Sequence, residues 1–447
     1  MLANTSPDPI AQRVLDACLA GRAWQASDVD ALVDSDSDTL FTIVAEGLAD
    51  RFDPRLSDAY ADIFSYAIAR VDDRFVAAEL RARYHHIRRI WPYRHPLAPE
   101  EAAIERILKV EEKALRRLRT GGAAYRVPGV EPHQRREPDP DPQRIVLLSR
   151  VTLGADIAVT SVIAQALQAR FPNSQLSLAG SRKSAELLGL SLLPIDYPRS
   201  GGLRARLRAA DPIVQLGDDT VVIDPDSRLT QLGVYPVARD HRYYFFESRG
   251  IEAPGALSAL ARDWCAGVFE VDIPWPKIVV EDPPFEFARP AITVSLGVGG
   301  NEAKRVGGSF ERDLLRELSA RAATVIVDQG AGADEAARAQ EAAAGLPNIR
   351  FWSGSFAAFA ALIASSDLYV GYDSAGQHAA SALGIPLISI FAGAVNDRFF
   401  ERWRPSGRVI RVDGGSPESV LLRVRTALPP SCGTGHRFPW PVTPGTL

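Results

Sequence analysis

The sequence predicts an α/β protein built from two parallel-sheet halves, preceded by an all-helical N-terminal domain. Short continuous apolar runs such as Ile145-Val146-Leu147-Leu148 begin near residue 144 and alternate with helical patterns, as strands buried on both faces of a parallel sheet require. Two proline-rich passages, 126–143 and 273–290, punctuate the chain. The length of 447 residues also exceeds what one hydrophobic core supports, so more than one domain is expected.

The elements follow in order. Ala11 to Ala20 places Val14, Leu15, Cys18 and Leu19 on one helical face, and Thr39 to Leu48 and Ala59 to Ala69 repeat the pattern. Ala98-Pro99-Glu100-Glu101 opens a charged helix that runs to Arg119 and stops at Gly121-Gly122, with proline in the first turn and glycine past the end. Within this block His85, His86, Arg88 and Arg89 gather beside Trp91 and Tyr93, as a solvated helix face or as a docking patch. Residues 126–143 carry proline and charge without a hydrophobic period, which describes an extended linker. Strands are then expected at Ile145 to Leu148, Leu176 to Ala179, Ile213 to Leu216 and Val221 to Ile223, with a helix from about Ala158 to Phe171. The second half offers strands at Ile292 to Leu296, Thr324 to Asp328, Asn348 to Phe351, Leu368 to Val370 and Leu387 to Phe391. Helices fit between them at Ser309 to Arg321, Ala333 to Ala344, Phe356 to Ala364 and Gly376 to Leu383. Both halves read as Rossmann-like, and open sheets of this kind bind ligands at the carboxyl ends of their strands.

Composition excludes several classes. A net charge of -4 provides no global basic field for nucleic acid, so any anion site must be local. Cys18, Cys265 and Cys432 are too few and too scattered for a disulfide framework or a metal cluster, which fits a reducing cytoplasm. The N-terminus lacks the pattern of a secretory signal, and no run of about 20 apolar residues occurs. A cytoplasmic protein without a transmembrane segment is expected.

Two segments carry the chemistry. In Asp373-Ser374-Ala375-Gly376-Gln377-His378 a strand gives way to a helix, whose first N–H groups suit an anion such as a diphosphate. Asp373 can accept from sugar hydroxyls and Ser374 can donate to phosphate, or either residue caps the helix. His378 is a packed first-turn residue, a neutral imidazole over phosphate, or a charged one stabilising a leaving diphosphate. In the stretch from Ser295 to Arg305, Gly297, Gly299 and Gly300 allow close backbone approach to a phosphate, while Lys304 and Arg305 supply charge or form a solvated pair. Asp224, Asp226 and Arg228 are a loop network or an acceptor surface, and Gly330-Ala331-Gly332 lacks the third glycine of a dinucleotide fingerprint.

The first of these segments resembles the D-[ST]-G-x-x-H region of the heptosyltransferases, glycosyltransferase family 9. Asp373, Ser374 and His378 stand in register, with Ala375 at the family's usual glycine and Gly376 one place later. Ser295 to Arg305 resembles the family's glycine-rich loop and basic pair, followed here by Val306-Gly307 instead of Trp-Pro. Arg144 to Thr160 resembles the first strand and S-L-G-D turn, with Ala155 inserted before Asp156. The resemblance covers about Arg144 to Gly415. It implies a GT-B fold, two Rossmann-like domains facing across a cleft: an acceptor domain at 144–275 and a nucleotide-sugar donor domain at 276–415. Residues 1–125 form the added helical domain, 126–143 the linker and 416–447 a C-terminal tail. The implied reaction is inverting transfer of heptose from ADP-heptose to an acceptor hydroxyl, as in lipopolysaccharide biosynthesis, with no cofactor and no dedicated metal. Asp156 would be the catalytic base, while its position alone equally suits an N-cap for the helix expected from about Ala158. Gly297, Gly299, Gly300, Lys304, Arg305, Ser374, Gly376 and His378 would hold the donor's diphosphate, and Asp373 its sugar. The acceptor would be a glycan, glycolipid or protein, reached from the cytoplasm or from the periphery of the inner membrane. Two other classes share the architecture: a nucleotide-sugar epimerase, which needs no acceptor, and a non-catalytic nucleotide-sugar-binding protein.

Overall fold

The structure, a computed structural model, describes residues 9–34, 142–198, 209–216, 219–230, 242–246, 248, 253–272, 275–298, 302–330, 332–393, 397–412 and 414–429. The helices expected at Thr39 to Leu48, Ala59 to Ala69 and Ala98 to Arg119, the patch around His85 and most of the linker lie outside these residues.

In chain order, the first elements are α1 (Pro9–Leu19), α2 (Ala26–Asp34), β1 (Arg144–Leu148), α3 (Ser161–Arg170), β2 (Gln175–Gly180), α4 (Arg182–Leu188), β3 (Ser191–Pro194), α5 (Asp211–Val214), β4 (Thr220–Asp224), β5 (Tyr243–Phe245) and α6 (Leu257–Phe269). Then follow β6 (Ala291–Ser295), α7 (Phe310–Ser319), β7 (Thr324–Asp328), α8 (Ala333–Ala342), β8 (Ile349–Trp352), α9 (Phe356–Ala364), β9 (Leu368–Tyr372), α10 (Ala375–Ala382), β10 (Leu387–Phe391), α11 (Asp397–Trp403), β11 (Arg408–Arg411) and α12 (Pro417–Ala427). The chain divides into two compact units, one of Met1–Val151, Asn173–Gly180 and Leu193–Ala253, the other of Thr152–Pro172, Ser181–Leu192 and Pro254–Leu447.

In the first unit, α1 and α2 are tied by an Arg13–Asp28 ion pair at 2.7 Å. Strands order as β3-β2-β1-β4-β5, and β1 is parallel to both β2 and β4. One expected strand, Ile213 to Leu216, is corrected: Ile213 and Val214 end the short helix α5, and Gln215 and Leu216 follow it in a turn. Pro212 suits a first helical turn, and only Ile213 of Pro212, Ile213 and Gln215 is buried, a one-sided burial that a helix gives. A four-residue apolar run alone could not separate the two.

The second unit holds a six-stranded sheet, order β11-β10-β9-β6-β7-β8, in which every neighbouring pair is parallel. The chain winds from β6 out to β8, returns to β9, and winds the other way to β11. Strand order therefore reverses between β6 and β9, which is where such sheets open a crevice at their carboxyl ends. Arg289 and Asp367 hold the opposite ends of these two strands in register: the guanidinium grips the carboxylate at 2.9 and 3.1 Å, and Ala291 N–H donates to it at 2.9 Å. One face is packed by Phe310, Leu314, Leu315 and Leu318, spaced for a single stripe of α7, together with Val420 and Val424 of α12. Each fully buried Leu or Phe contributes about 1.5–3 kcal/mol, which anchors the sheet beneath the crevice. Helix α12 extends this core beyond residue 415. Among the described residues, no helix is long and apolar enough to cross a membrane.

Candidate functional site

The two motif-bearing segments meet at the carboxyl ends of β6 and β9. Ser295 and Gly371 are register partners there, so the loop that leaves β6 and the turn that leaves β9 emerge side by side. Lys304, at the end of a 3-10 turn (Glu302–Lys304), reaches across and donates to Asp373 Oδ2 at 2.7 Å. Its ammonium also stands 5.6 Å from the Phe399 ring centroid, so an aromatic face shields one side of the charge. The other half of the basic pair diverges: Arg305 is engaged by Glu302 at 2.9 Å and by Glu311. Gly297 lies in the β6 loop with room for a Cβ, its nearest neighbour being Glu335 at 3.6 Å. Gly299 and Gly300 fall outside the described residues.

Helix α10 starts at this crevice. Ser374 occupies the N-cap position in extended conformation, yet its side chain makes no capping bond, and its buried Oγ has only the Tyr369 hydroxyl beside it, without a well-formed hydrogen bond between the two. The simple capping role is therefore not the one Ser374 plays. Gly376 is sterically required, because a Cβ there would lie 2.2 Å from the Tyr369 hydroxyl; at Gly371 the same distance would be 2.6 Å. Tyr369 is wholly buried, and burial pushes its phenol far above the ordinary range, so the hydroxyl stays protonated under the turn. Asp373 is clamped from two sides, by Lys304 and by Gln377 Nε2, which donates to Oδ1 at 2.6 Å. The Gln377 oxygen in turn accepts from Ser389 on β10.

His378 is buried on the first turn of α10, edge-on to Trp403 with ring centroids 5.9 Å apart. Its pKa is lowered to about 4, mainly because burial penalises the charged ring; Asp373 pulls upward and Lys304 adds to the fall. The imidazole is neutral near pH 7, which removes the charged option for His378 in this state.

Asp156 belongs to the same compact unit. One α-turn (Leu153–Ala155) and a π-turn (Asp156–Thr160) lead into α3, and Ser161 N–H bonds back to the Asp156 carbonyl. A π-turn holds one more residue than an α-turn, and this one begins directly after Ala155. Asp156 is 1% exposed and not an N-cap: Thr160 Oγ1 donates to Oδ1 at 2.8 Å and Ser184 Oγ to Oδ2 at 2.7 Å. The turn before it lies against α10, where a Cβ on Gly154 would stand 3.1 Å from His378 Cδ2. The glycine therefore lets the Asp156 segment touch the histidine segment.

Sequence reasoning passed over Gln377, Ser389, Tyr369 and Trp403. Gln377 carried only a weak signal, a polar residue on the first turn of a helix otherwise rich in small residues. Ser389 and Trp403 had none, because only the folded sheet brings them in. Among the described residues no group of three His, Cys, Asp or Glu side chains is placed to hold a metal ion.

Residues 266–421 match the family model "Glycosyltransferase family 9 (heptosyltransferase)". Lys304, Asp373, Ser374 and His378 all fall within the match, whereas Asp156 precedes it. Among solved structures, the chain is similar to the E. coli ADP-heptose lps heptosyltransferase II, at 18% identity and TM-score 0.47, over 64% of this chain and 98% of that one. It is also similar to the E. coli heptosyltransferase WaaC with ADP, at 15% identity and TM-score 0.49, over 64% and 100% of the two chains. A glycosyl transferase family 9 protein from Veillonella parvula aligns at 14% identity and TM-score 0.48, over 66% and 94%. A search of curated proteins by sequence gives no match.

Proposed function

We propose that the chain, whose residues 266–421 match the family 9 glycosyltransferase model, moves a sugar, heptose from ADP-heptose, to an acceptor hydroxyl with inversion and without a dedicated metal. The observation that carries the donor site is Ser374: a buried N-cap hydroxyl that makes no capping bond, beside a lysine and at the start of a helix. Unsatisfied donors of that kind are what a diphosphate completes. In this reading Lys304, Ser374, His378 and the loop of Gly297, Gly299 and Gly300 meet the diphosphate, and Gly376 keeps the turn clear. Arg305 joins them by exchanging Glu302 or Glu311 for phosphate. Asp373, already positioned by Gln377, orients the sugar.

The transfer step then balances simply. The acceptor oxygen bonds to the anomeric carbon as the bond from that carbon to the diphosphate oxygen breaks. The electron pair leaves with the nucleoside diphosphate, and the acceptor's proton passes to Asp156. Thr160 and Ser184 hold that carboxylate's orientation, and it takes up the proton by giving up one of their hydrogen bonds. The fold of this proposal is GT-B, with an acceptor domain over 144–275, a donor domain from 276 that extends through α12, and a helical domain before the linker. The acceptor is a glycan, glycolipid or protein, met in the cytoplasm or at the inner-membrane surface.

Calorimetric titration with ADP-heptose, ADP, UDP-sugars and GDP-sugars tests the site. Selective micromolar binding of one donor is expected, lost in Asp373→Ala and unchanged by EDTA. Asp156→Asn, which keeps the shape and one accepting oxygen while its NH₂ donates to the other hydroxyl, should cut turnover by on the order of 10²-fold while donor affinity stays within about twofold. No binding across the panel sinks the donor site. Full turnover in Asp156→Asn removes the base.

A further inference from the structure

A histidine beside a diphosphate can work as an imidazolium or as a neutral donor through either ring nitrogen, and these states do different chemistry. Gln377 decides among them. Its side chain is fully buried, its Oε1 accepts from Ser389 Oγ, and its Nε2 donates to Asp373 Oδ1 at 2.6 Å. Turning the amide over would set its oxygen against the Asp373 carboxylate, so the amide has one orientation. The same Nε2 lies 3.2 Å from His378 Nε2. An amide NH₂ only donates, which means that the imidazole Nε2 carries a lone pair and the ring proton sits on Nδ1. Gly154 lies against Cδ2 and Trp403 meets the ring edge-on, while Nδ1 has no hydrogen-bond partner among the described residues.

We propose that Gln377 is a positioning residue that holds His378 as the neutral Nδ1–H tautomer, a fixed hydrogen-bond donor to an oxygen of the bound diphosphate. This rests on the nucleotide-sugar reading of the site. Desolvation of the ring supports it, since the histidine stays uncharged well below neutral pH. A division of labour follows: Lys304 brings charge, and His378 brings a directed donor that needs no protonation event. The chain from Ser389 through Gln377 links β10 to both Asp373 and His378, so one amide sets the geometry at the sugar and at the phosphate.

Ring-¹⁵N histidine labelling of the full chain tests this, with long-range ¹H–¹⁵N correlation from pH 5 to 8 and His378 assigned by signal loss in His378→Asn. The expected wild-type spectrum shows a protonated Nδ1 and a pyridine-like Nε2 throughout. In Gln377→Leu the Nε2–H form should appear and ADP-sugar affinity should fall by about tenfold. In Gln377→Glu, whose carboxylate cannot donate, a proton should be drawn onto Nε2 and an imidazolium signature should appear at neutral pH. An Nε2–H or doubly protonated ring in the wild type at pH 7 overturns the proposal, and this measurement needs no variant of Gln377 to fold. Unchanged ring nitrogens in a folded Gln377→Leu overturn it equally. An Nε2–H ring in a protein that binds a nucleotide sugar rejects the tautomer and leaves the donor site standing. An Nδ1–H ring in a protein that binds none rejects the diphosphate as its acceptor.

Discussion

Each of the two sheets reverses its strand order once, between β1 and β4 in the first and between β6 and β9 in the second, and the polar groups at these two points are organised in opposite ways. At the first, Arg150 NH1 donates to Ser248 Oγ at 2.6 Å and to the Pro225 carbonyl at 2.9 Å, and Ser248 Oγ donates to Asp226 at 3.0 Å. Asp224 accepts from Ser227 N–H and the Tyr243 hydroxyl at 2.6 Å and from Thr230 at 2.5 Å. Asp224, Asp226, Ser227 and Thr230 are all 0% exposed. The backbone is forced as well, with positive φ at Val151 (74°) and Asp226 (66°), the former a β-branched residue for which that region is a genuine outlier. At the second point Lys304 keeps a quarter of its side chain exposed and Ser374 keeps an unsatisfied hydroxyl. Similar topology has thus produced an inward-turned knot in one sheet and, in the other, a part-exposed lysine beside a buried hydroxyl that caps nothing. Fold alone does not say which crevice works.

Paired substitutions put that contrast at risk. Lys304→Met should weaken nucleotide-sugar binding by about 10- to 100-fold, which is roughly 1.4–2.8 kcal/mol, with an effect that shrinks as salt rises. Arg150→Met should leave that affinity unchanged and instead lower stability by about 3–5 kcal/mol, because it strips a buried carboxylate network of its cation. Titration calorimetry and urea unfolding on both variants read the two effects separately. A loss of donor affinity in Arg150→Met would erase the distinction between the two crevices.

A smaller effect sharpens the second site. Gly376→Ala places a methyl where the Tyr369 hydroxyl lies, so overpacking of about 1–3 kcal/mol is expected in thermal or urea unfolding. Tyr369→Leu in the same chain should recover part of that loss by vacating the space. If Gly376→Ala alone is silent, the turn is looser than the contact of Tyr369 with both glycines indicates.

The second sheet was far more legible in the sequence than the first. β7 and β10 fall at the residues expected, because strands buried on both faces are spelled largely in apolar residues, Val-Ile-Val in one and Leu, Ile and Phe in the other. In the first sheet β3 and β5 went unread. Ser191–Pro194 and Tyr243–Phe245 are short edge strands at the two ends of the sheet, where one-sided pairing imposes little pattern. The site divides the same way. Asp373, Ser374 and His378 were readable because a strand-to-helix turn keeps them within six residues of one another. Ser184, which grips Asp156, and Ser389, which orients Gln377, come from distant segments and leave no local trace. The π-turn at Asp156–Thr160 was not legible in the sequence, because a single widened turn leaves the apolar pattern of the helix unmarked.

The smallest expected effect tests the inward-turned knot through its titration. Burial raises the Asp224 carboxyl to about 6, outweighing the bonds from Thr230, Tyr243 and Ser227 that pull it down, while Asp226 pushes it further up. A carboxyl whose folded pKa exceeds its unfolded value binds a proton more readily in the native state. Its contribution to stability is therefore complete below the unfolded value of 3.8 and fades as pH rises through about 6. Wild type measured against Asp224→Asn, which cannot titrate, should accordingly lose about 1 kcal/mol of relative stability between pH 5 and pH 7.5. In a domain of this size that amounts to about 2–4 °C in the difference between the two melting temperatures. The direction matters more than the size: a salt-bridged carboxylate would give the opposite slope. A difference that grows with pH would mean that Asp224 is held ionised by charge, and the first crevice would then be a candidate site in its own right.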